Sequence, residues 1–308
     1  MTDFPRSLLA FQRRFGDEGA CAAYLAECRW PDGFVCPACG LGKAWSLDTK
    51  AWTHECANCH RQTSVRAGTV MHGSKLPLTV WFWAAYLMAT HSNGMSARQL
   101  WRQLGLGSYK SAWLLCAKLR RAMVDPDRAP LAGLVEVDET AIRHRTKGDP
   151  PAGGHGRSHD GKLLVAGAIE IVGPGPGRVR LAAIGDYSAT SLHGFMAANI
   201  ARGASARTDG WPGYPGAPGL THQPHVVGPM AAHVVLPWVH RVFANLKTWA
   251  LGVYHGLRAK HLQAYLDEFT FRFNRRRTPH AAFRTLLGIG TAIKPATYNM
   301  LIAPEVAG

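Results

Sequence analysis

Two Cys-x-x-Cys pairs constrain this chain more than any other feature in it. Cys36-Pro37-Ala38-Cys39 and Cys56-Ala57-Asn58-Cys59 stand sixteen residues apart. Knuckles at that spacing can close a tetrahedral zinc site, each tight turn delivering two thiolates. The residues between them, Lys43 to Glu55, alternate as a hairpin does. So short a segment has little core, and bound Zn2+ would supply much of its folding free energy. Four protein ligands leave no open coordination position, so the metal's role is structural. Cys21 and Cys28 show no pairing logic and read as packing residues. No targeting segment is expected from the N-terminal residues, which lack a long apolar core, and the most apolar window, Leu76 to Thr90, is too short to span a bilayer. The expected compartment is the cytoplasm, where cysteines serve as thiols or metal ligands.

Lys and Arg number 35 against 20 acids, for a net charge of +15 over 308 residues. So basic a chain is expected to meet a polyanion, nucleic acid first. Scarce acids also make each acidic cluster informative. Helical patterning dominates the front of the chain. Leu8, Leu9, Phe11 and Phe15 share a rough face near the start, and a helix is expected over Gly19 to Cys28. Pro77 to His91 reads as a buried helix that Asn93-Gly94 ends. Ser96 with Gln99 forms a capping box for the next helix, Gly105 to Gly107 a turn, and Ser108 the cap of a helix over Tyr109 to Val124. Helix, glycine turn, helix is a helix-turn-helix pattern. Its second helix opens on Tyr109, Lys110 and Ser111, placed to enter a major groove, and ends on Lys118, Arg120 and Arg121.

After the linker Asp125 to Pro130 the pattern changes to strands: Leu134 to Ile142, Lys162 to Val172 and Arg178 to Tyr187. A helix over Ser191 to Ala201 follows, then a strand, Ser205 to Thr208, that delivers Asp209. The Gly173 to Gly177 turn makes the second and third strands antiparallel. Lys147 to Gly161 reads as a mobile loop. Asp138, with Glu136 and Glu139, sits at the end of the first strand, and Asp209 at the end of the fourth. That order, with acids on those two strands, is the order of an RNase H-like domain. Two such carboxylates can hold divalent metal, and Mg2+ or Mn2+ suits an oxygen donor set that leaves room for phosphate and water. Helices are expected again from Leu236 and over Ala259 to Phe273, the latter ending in Asn274-Arg275-Arg276-Arg277.

Together these segments carry a resemblance. VEVDET (135–140), TDGWPGY (208–214), HRVFANLKTWALGVYHGL (240–257) and KHLQAYLDEFTFRFNRR (260–276), behind a two-knuckle ribbon, resemble the zinc-ribbon insertion-sequence transposases of bacteria and archaea. The resemblance runs from about Phe4 to Leu287. It implies a catalytic core of the DDE class that cuts and joins DNA at the ends of a mobile element. Asp138 and Asp209 match the first two catalytic acids, and Lys247 the helix lysine that contacts a phosphate near the cut. The third acid is missing. Seven residues before the lysine stands His240, and two before it Asn245. Both are candidates for a position where the resemblance implies that Asn or His is tolerated, with Glu139 or Glu268 as helpers. Trp211 and Tyr214 would shape the site, stack on a splayed base or pack in the core.

The expected fold class is α/β: an RNase H-like mixed sheet with flanking helices, preceded by a zinc ribbon and a helical helix-turn-helix region. The expected domains are an N-terminal helical segment (1–30), the ribbon (31–65), the helix-turn-helix region (66–125), the catalytic domain (131–290) and a tail (291–308). Double-stranded DNA is the expected partner, held in part by Arg272, Arg275, Arg276 and Arg277, with a homodimer or larger assembly handling two ends. The rival readings are a DNA-binding repressor with a dead core, and an RNase H-type nuclease.

Overall fold

The computed structural model of the chain describes residues 5–144, 161–226 and 232–302. The chain divides into two compact units. One joins the chain up to Asp125 with the segment beginning at Thr278, and the other contains Pro126–Arg277.

In chain order the first unit begins with α1 (Leu8–Arg14) and α2 (Glu18–Arg29). Each starts where a side-chain oxygen accepts a backbone N–H, from Ser7 and from Asp17. Phe11 and Phe15 point inward as expected, but Leu8 and Leu9 stay exposed. The ribbon follows as β1 (Ala44–Ser46), β2 (Thr53–Cys56) and β3 (Gln62–Ser64), an antiparallel sheet in that order. The expected hairpin is therefore β1–β2, with one strand more. Next come α3 (Leu78–Thr90), α4 (Ala97–Gln103) and α5 (Tyr109–Arg121). Both expected caps form: Ser96 accepts from Gln99 N at 3.2 Å and Ser108 from Ser111 N at 3.1 Å.

The second unit is built on one mixed sheet. Its strands are β4 (Leu134–Arg143), β5 (Lys162–Val172), β6 (Gly175–Ile184), β7 (Ser205–Thr208) and β8 (Thr221–Pro224), in the order β6-β5-β4-β7-β8. β4, β5 and β6 are antiparallel neighbours, while β7 and β8 run parallel to β4. This is the RNase H-like arrangement the strand pattern predicts. Helix α6 (Ala189–Asn199) packs on one face, with Leu192, Phe195 and Met196 against Val135, Val137 and Ala206. After α7 (Ala232–Val235), α8 (Pro237–Tyr254) and α9 (Leu262–Asn274) cover the other face, burying Val242, Leu246, Leu266 and Phe269 against Val165, Ile169 and Val179. The sheet thus carries apolar side chains on both faces, as one covered by helices on each side must. The loop expected over 147–161 lies, apart from Gly161, outside the described residues.

β6 starts at Gly175, inside the stretch expected to be a turn, and two further elements differ more from expectation. β8 falls in a stretch with no strand pattern; its Thr-His-Gln-Pro sequence offers no apolar alternation, because it is a half-exposed edge strand. Helix α10 (Pro279–Ala292), followed by α11 (Tyr298–Ile302), belongs with the first unit, although the catalytic domain is expected to run to 290. The arginine run reads as an ending, yet Pro279 sits at the first helical position, where a missing N–H costs nothing. Phe283 of α10 completes a ring cluster with Phe11, Phe15, Tyr24, Phe82 and Tyr86, at centroid distances of 5.4 to 6.2 Å.

At the start of β4 a buried carboxylate closes the sheet. Glu170 accepts from Arg178 Nε at 2.8 Å and from Ala132 N at 2.9 Å. Burial raises its pKa, but these donors outweigh it and hold the carboxyl below 4.5. A depressed carboxyl adds stability above its unfolded-state pKa, and that stability is lost as pH falls through the native value. Arg178 is 40% exposed, which screens the pair. Arg178→Ala is therefore expected to cost about 1–2 kcal/mol at pH 7. In urea unfolding the deficit should shrink once the pH is well below 4.5.

Candidate active site

The four knuckle cysteines converge. Their Sγ atoms all lie within 4.8 Å of one another, and Cys36–Cys59 and Cys39–Cys56 are each 3.5 Å apart. Four sulfurs around a zinc ion at its usual bond length are roughly 3.8 Å apart, so this cage fits the ion. Backbone amides support it: Ala38 N lies 3.5 Å from Cys36 Sγ, and N–H donation from Leu41 leads the effects that lower the Cys39 thiol to about 6. Buried residues in 31–65 are confined to Cys36, Cys56, Thr63 and Val65, too few to hold a fold without the cage.

In the second unit the two aspartates come to neighbouring strands. Glu136 pairs with Arg207 across β4 and β7, and continuing that register by two residues brings Asp138 level with Asp209. Asp138 is buried, and its Oδ1 accepts from Glu139 N at 2.8 Å. Asp209 is half-buried, and its Oδ1 accepts from Trp211 N at 3.0 Å. That turn needs Gly210 at φ +84°, a conformation L side chains rarely adopt. Tyr214, fully buried, donates its hydroxyl to Glu139. Burial, then Glu139, Asp138 and Asp209, push the phenol far up, so it stays a donor. Of the three, Glu139 is the carboxylate that the hydroxyl bonds. Trp211 donates its indole N–H to Tyr187 O at 3.1 Å, which anchors the loop rather than leaving the ring free to stack.

Helix α8 separates the two candidates for the third position. His240 Nε2 lies 3.2 Å from Asp138 Oδ2. Asn245 is exposed, and five residues of helix turn it about 140° away from His240. Lys247, seven residues on, returns to within about 20° of the His240 face. Lys247 is exposed at the surface, yet partial burial lowers its pKa, and the pull of Asp138 in the other direction does not offset this. Glu268 is committed elsewhere: both its oxygens lie 3.2 Å from Tyr254 OH. Among the described residues the cysteine cage is the one group of three or more Cys, His, Asp or Glu ligand atoms this close together.

The expected DNA contacts fare unevenly. Tyr109 is exposed at the start of α5, and Lys110 stacks over the Tyr298 ring at 4.4 Å. Ser111 is bound into the cap, its Oγ 3.0 Å from Ser108 Oγ. Lys118 and Arg120 are buried, and Lys118 donates to His72 O at 3.3 Å, so the last turn of α5 is not a solvated basic face. Arg275 and Arg276 lie over Phe271 and Phe273 at 4.0 and 4.1 Å. Arg276 also donates to Pro176 O at 2.6 Å, clasping α9 to the start of β6. Arg272 is half-buried and Arg277 exposed.

A cysteine-closed ribbon in one unit, and in the other an RNase H-like sheet with aspartates on adjacent parallel strands, define a zinc-ribbon protein of the RNase H-like class. Comparison with known proteins narrows this. Residues 130–274 match the ISXO2-like transposase domain, and residues 16–62 match the transposase zinc-ribbon domain. The chain belongs to the insertion-sequence transposase family that combines these two domains. It is 30% identical over 155 residues to an uncharacterized protein in transposable element ISH50 of Halobacterium salinarum, covering 49% of this chain and 51% of the relative. The chain thus spans about half the length of the curated relative it matches. No solved structure matches. Among the described residues no helix is long and apolar enough to cross a membrane.

Proposed function

We propose that the protein is a transposase that cleaves DNA at the inverted repeats of its element and joins the freed ends to a target. The observation that carries this is the level placement of Asp138 and Asp209 on adjacent strands, with His240 3.2 Å from the first. Asp138 and Asp209 would hold Mg2+ or Mn2+, with His240 as the third group and Glu139 as a reserve carboxylate fixed by Tyr214. A bound divalent ion would activate water or a 3′-hydroxyl and stabilise the leaving oxygen. The chain's own groups then have distinct tasks. Asp138 and Asp209 supply negative charge where the ion sits. Lys247, on the same face of α8 as His240, neutralises a non-bridging phosphate oxygen. The ribbon and α4–α5 bring duplex DNA, with Tyr109 and Lys110 nearest a groove and Arg272, Arg275 and Arg277 along the backbone. Two ends must be cut together, so a homodimer or larger assembly forms on DNA.

Imidazole is a poor ligand for Mg2+ and a better one for Mn2+. The test is strand transfer from a plasmid carrying the flanking ends of the gene, with each metal in turn. Joined products are expected, and at lower concentrations of Mn2+ than of Mg2+. Specific end binding without products under either metal would make the protein a DNA-binding repressor on a transposase fold.

A further inference from the structure

Helix α8 carries His240 and Lys247, yet no side chain of its own caps its N-terminus. Leu236 stands at the N-cap and Pro237 opens the helix. A carboxylate from the sheet takes that place. Glu136, 1% exposed, accepts from Trp238 N and Val239 N, both on Oε2 and both at 2.9 Å. A buried carboxylate is costly without donors. The first turn of a helix offers unpaired N–H groups and the positive end of its dipole. Each group thus meets the need of the other, and the contact fixes where α8 begins along β4, two residues from Asp138.

A second contact fixes how close the helix comes. Gly167 is the cross-strand partner of Asp138. The Phe243 ring of α8 lies over it, so near that a Cβ would stand 2.5 Å from Cε1 and 2.8 Å from Cζ. Any side chain at 167 would have to displace the Phe243 ring, the contact through which α8 rests on β5 at this point. His240 lies between the two contacts, one residue past Val239 and three before Phe243.

We propose that Glu136 and Gly167 are positioning residues that seat α8 so that His240 stands against Asp138. The proposal rests on the reading of Asp138 and Asp209 as a metal-holding pair. Glu136 acts through the helix, by holding the Trp238 and Val239 amides, and Gly167 acts by its lack of a side chain.

Manganese is the probe. In the full chain with 13C-labelled histidine, bound Mn2+ should broaden the His240 signal, which is assigned by its loss in His240→Asn. In Glu136→Ala the broadening should weaken at equal Mn2+ occupancy, because it falls steeply with distance from the ion, and single-turnover cleavage should fall about 10–100-fold, with end binding unchanged. Glu136→Gln keeps an acceptor oxygen and should restore both. Gly167→Ala should behave like Glu136→Ala, and adding Phe243→Leu should recover broadening and rate by removing the clash. This pair of variants carries the test if Glu136→Ala does not fold. Broadening and cleavage both unchanged from wild type in Glu136→Ala and Gly167→Ala would overturn the proposal. Failure of the underlying reading looks different: wild-type protein would not bind Mn2+, or Asp138→Asn would bind it as well as wild type.

Discussion

Asp138→Asn and Asp209→Asn are each expected to lower strand cleavage by roughly 10³-fold or more, the scale of removing a charge that a catalytic metal depends on. The substitution keeps the size of the side chain and its acceptor oxygen. At Asp138 the bond from Glu139 N, and at Asp209 the bond from Trp211 N, can therefore persist. The fold should survive, and so should binding to end DNA, which is assigned to the ribbon and α4–α5. The measurement pairs single-turnover cleavage with a gel-shift titration on the same labelled end. Parallel loss of folding and binding in both variants would show the aspartates to be structural. Unchanged cleavage in either would remove that residue from the site. His240→Asn should fall short of this effect, because two carboxylates would remain.

The second large effect concerns the ribbon. Apart from two of the ligands themselves, it buries only Thr63 and Val65. Its other ties are local: Arg29 donates to Ser64 O at 2.7 Å, and Trp30, Phe34 and His54 form a ring cluster. Zinc binding in small cysteine sites is worth about 10–16 kcal/mol, far more than these contacts supply. Cys56→Ser is therefore expected to release the metal and strip hydrogen-exchange protection from β1–β3. The helices of the first unit, held by the Phe11 and Phe283 ring cluster, should keep theirs. End binding should weaken by roughly tenfold or more, since folding of the ribbon is metal binding. Cleavage of a short unstructured substrate would tell the two units apart: the cysteine variant should retain what the aspartate variants lose. Full protection of β1–β3 after chelation would show that the cage is not what holds the ribbon.

Much of this architecture is legible in the residues alone. The cysteine spacing points to the ribbon, because tetrahedral closure admits few alternatives. β5 and β7 fall on the expected residues, because Lys162–Val172 is a largely apolar run bounded by glycine and Ser205–Thr208 leads straight into the Asp209-Gly210 turn. β8 and α10 escape the pattern for opposite reasons. β8 is a polar edge whose pairing comes from β7, not from its own alternation. α10 carries a clear stripe, Ala282, Phe283, Leu286 and Leu287, behind an arginine run that reads as a terminus. Helical phase alone separates Asn245 from the face shared by His240 and Lys247. What no pattern could give is the role of Glu136. A strand acid beside a candidate catalytic acid reads as part of the same cluster, and only the approach of α8 shows that it serves a helix end a hundred residues away.

The return of α10 to the first unit bears on how the chain is made. A ribosome that has finished Asp125 has released neither Phe283 nor the rest of α10, so the ring cluster waits for about 150 more residues. The RNase H-like unit between them is complete first, because Pro126–Arg277 is continuous. The aromatic core formed by α1, α2, α3 and α10 is therefore closed last. A nascent chain would complete the unit that holds Asp138 and Asp209 before the aromatic core of the other, and a product truncated before Thr278 would lack that core. The same arrangement makes residues 1–125 a poor stand-alone fragment. A fusion that joins Asp125 to Thr278 through a linker is the better design for studying end recognition by itself.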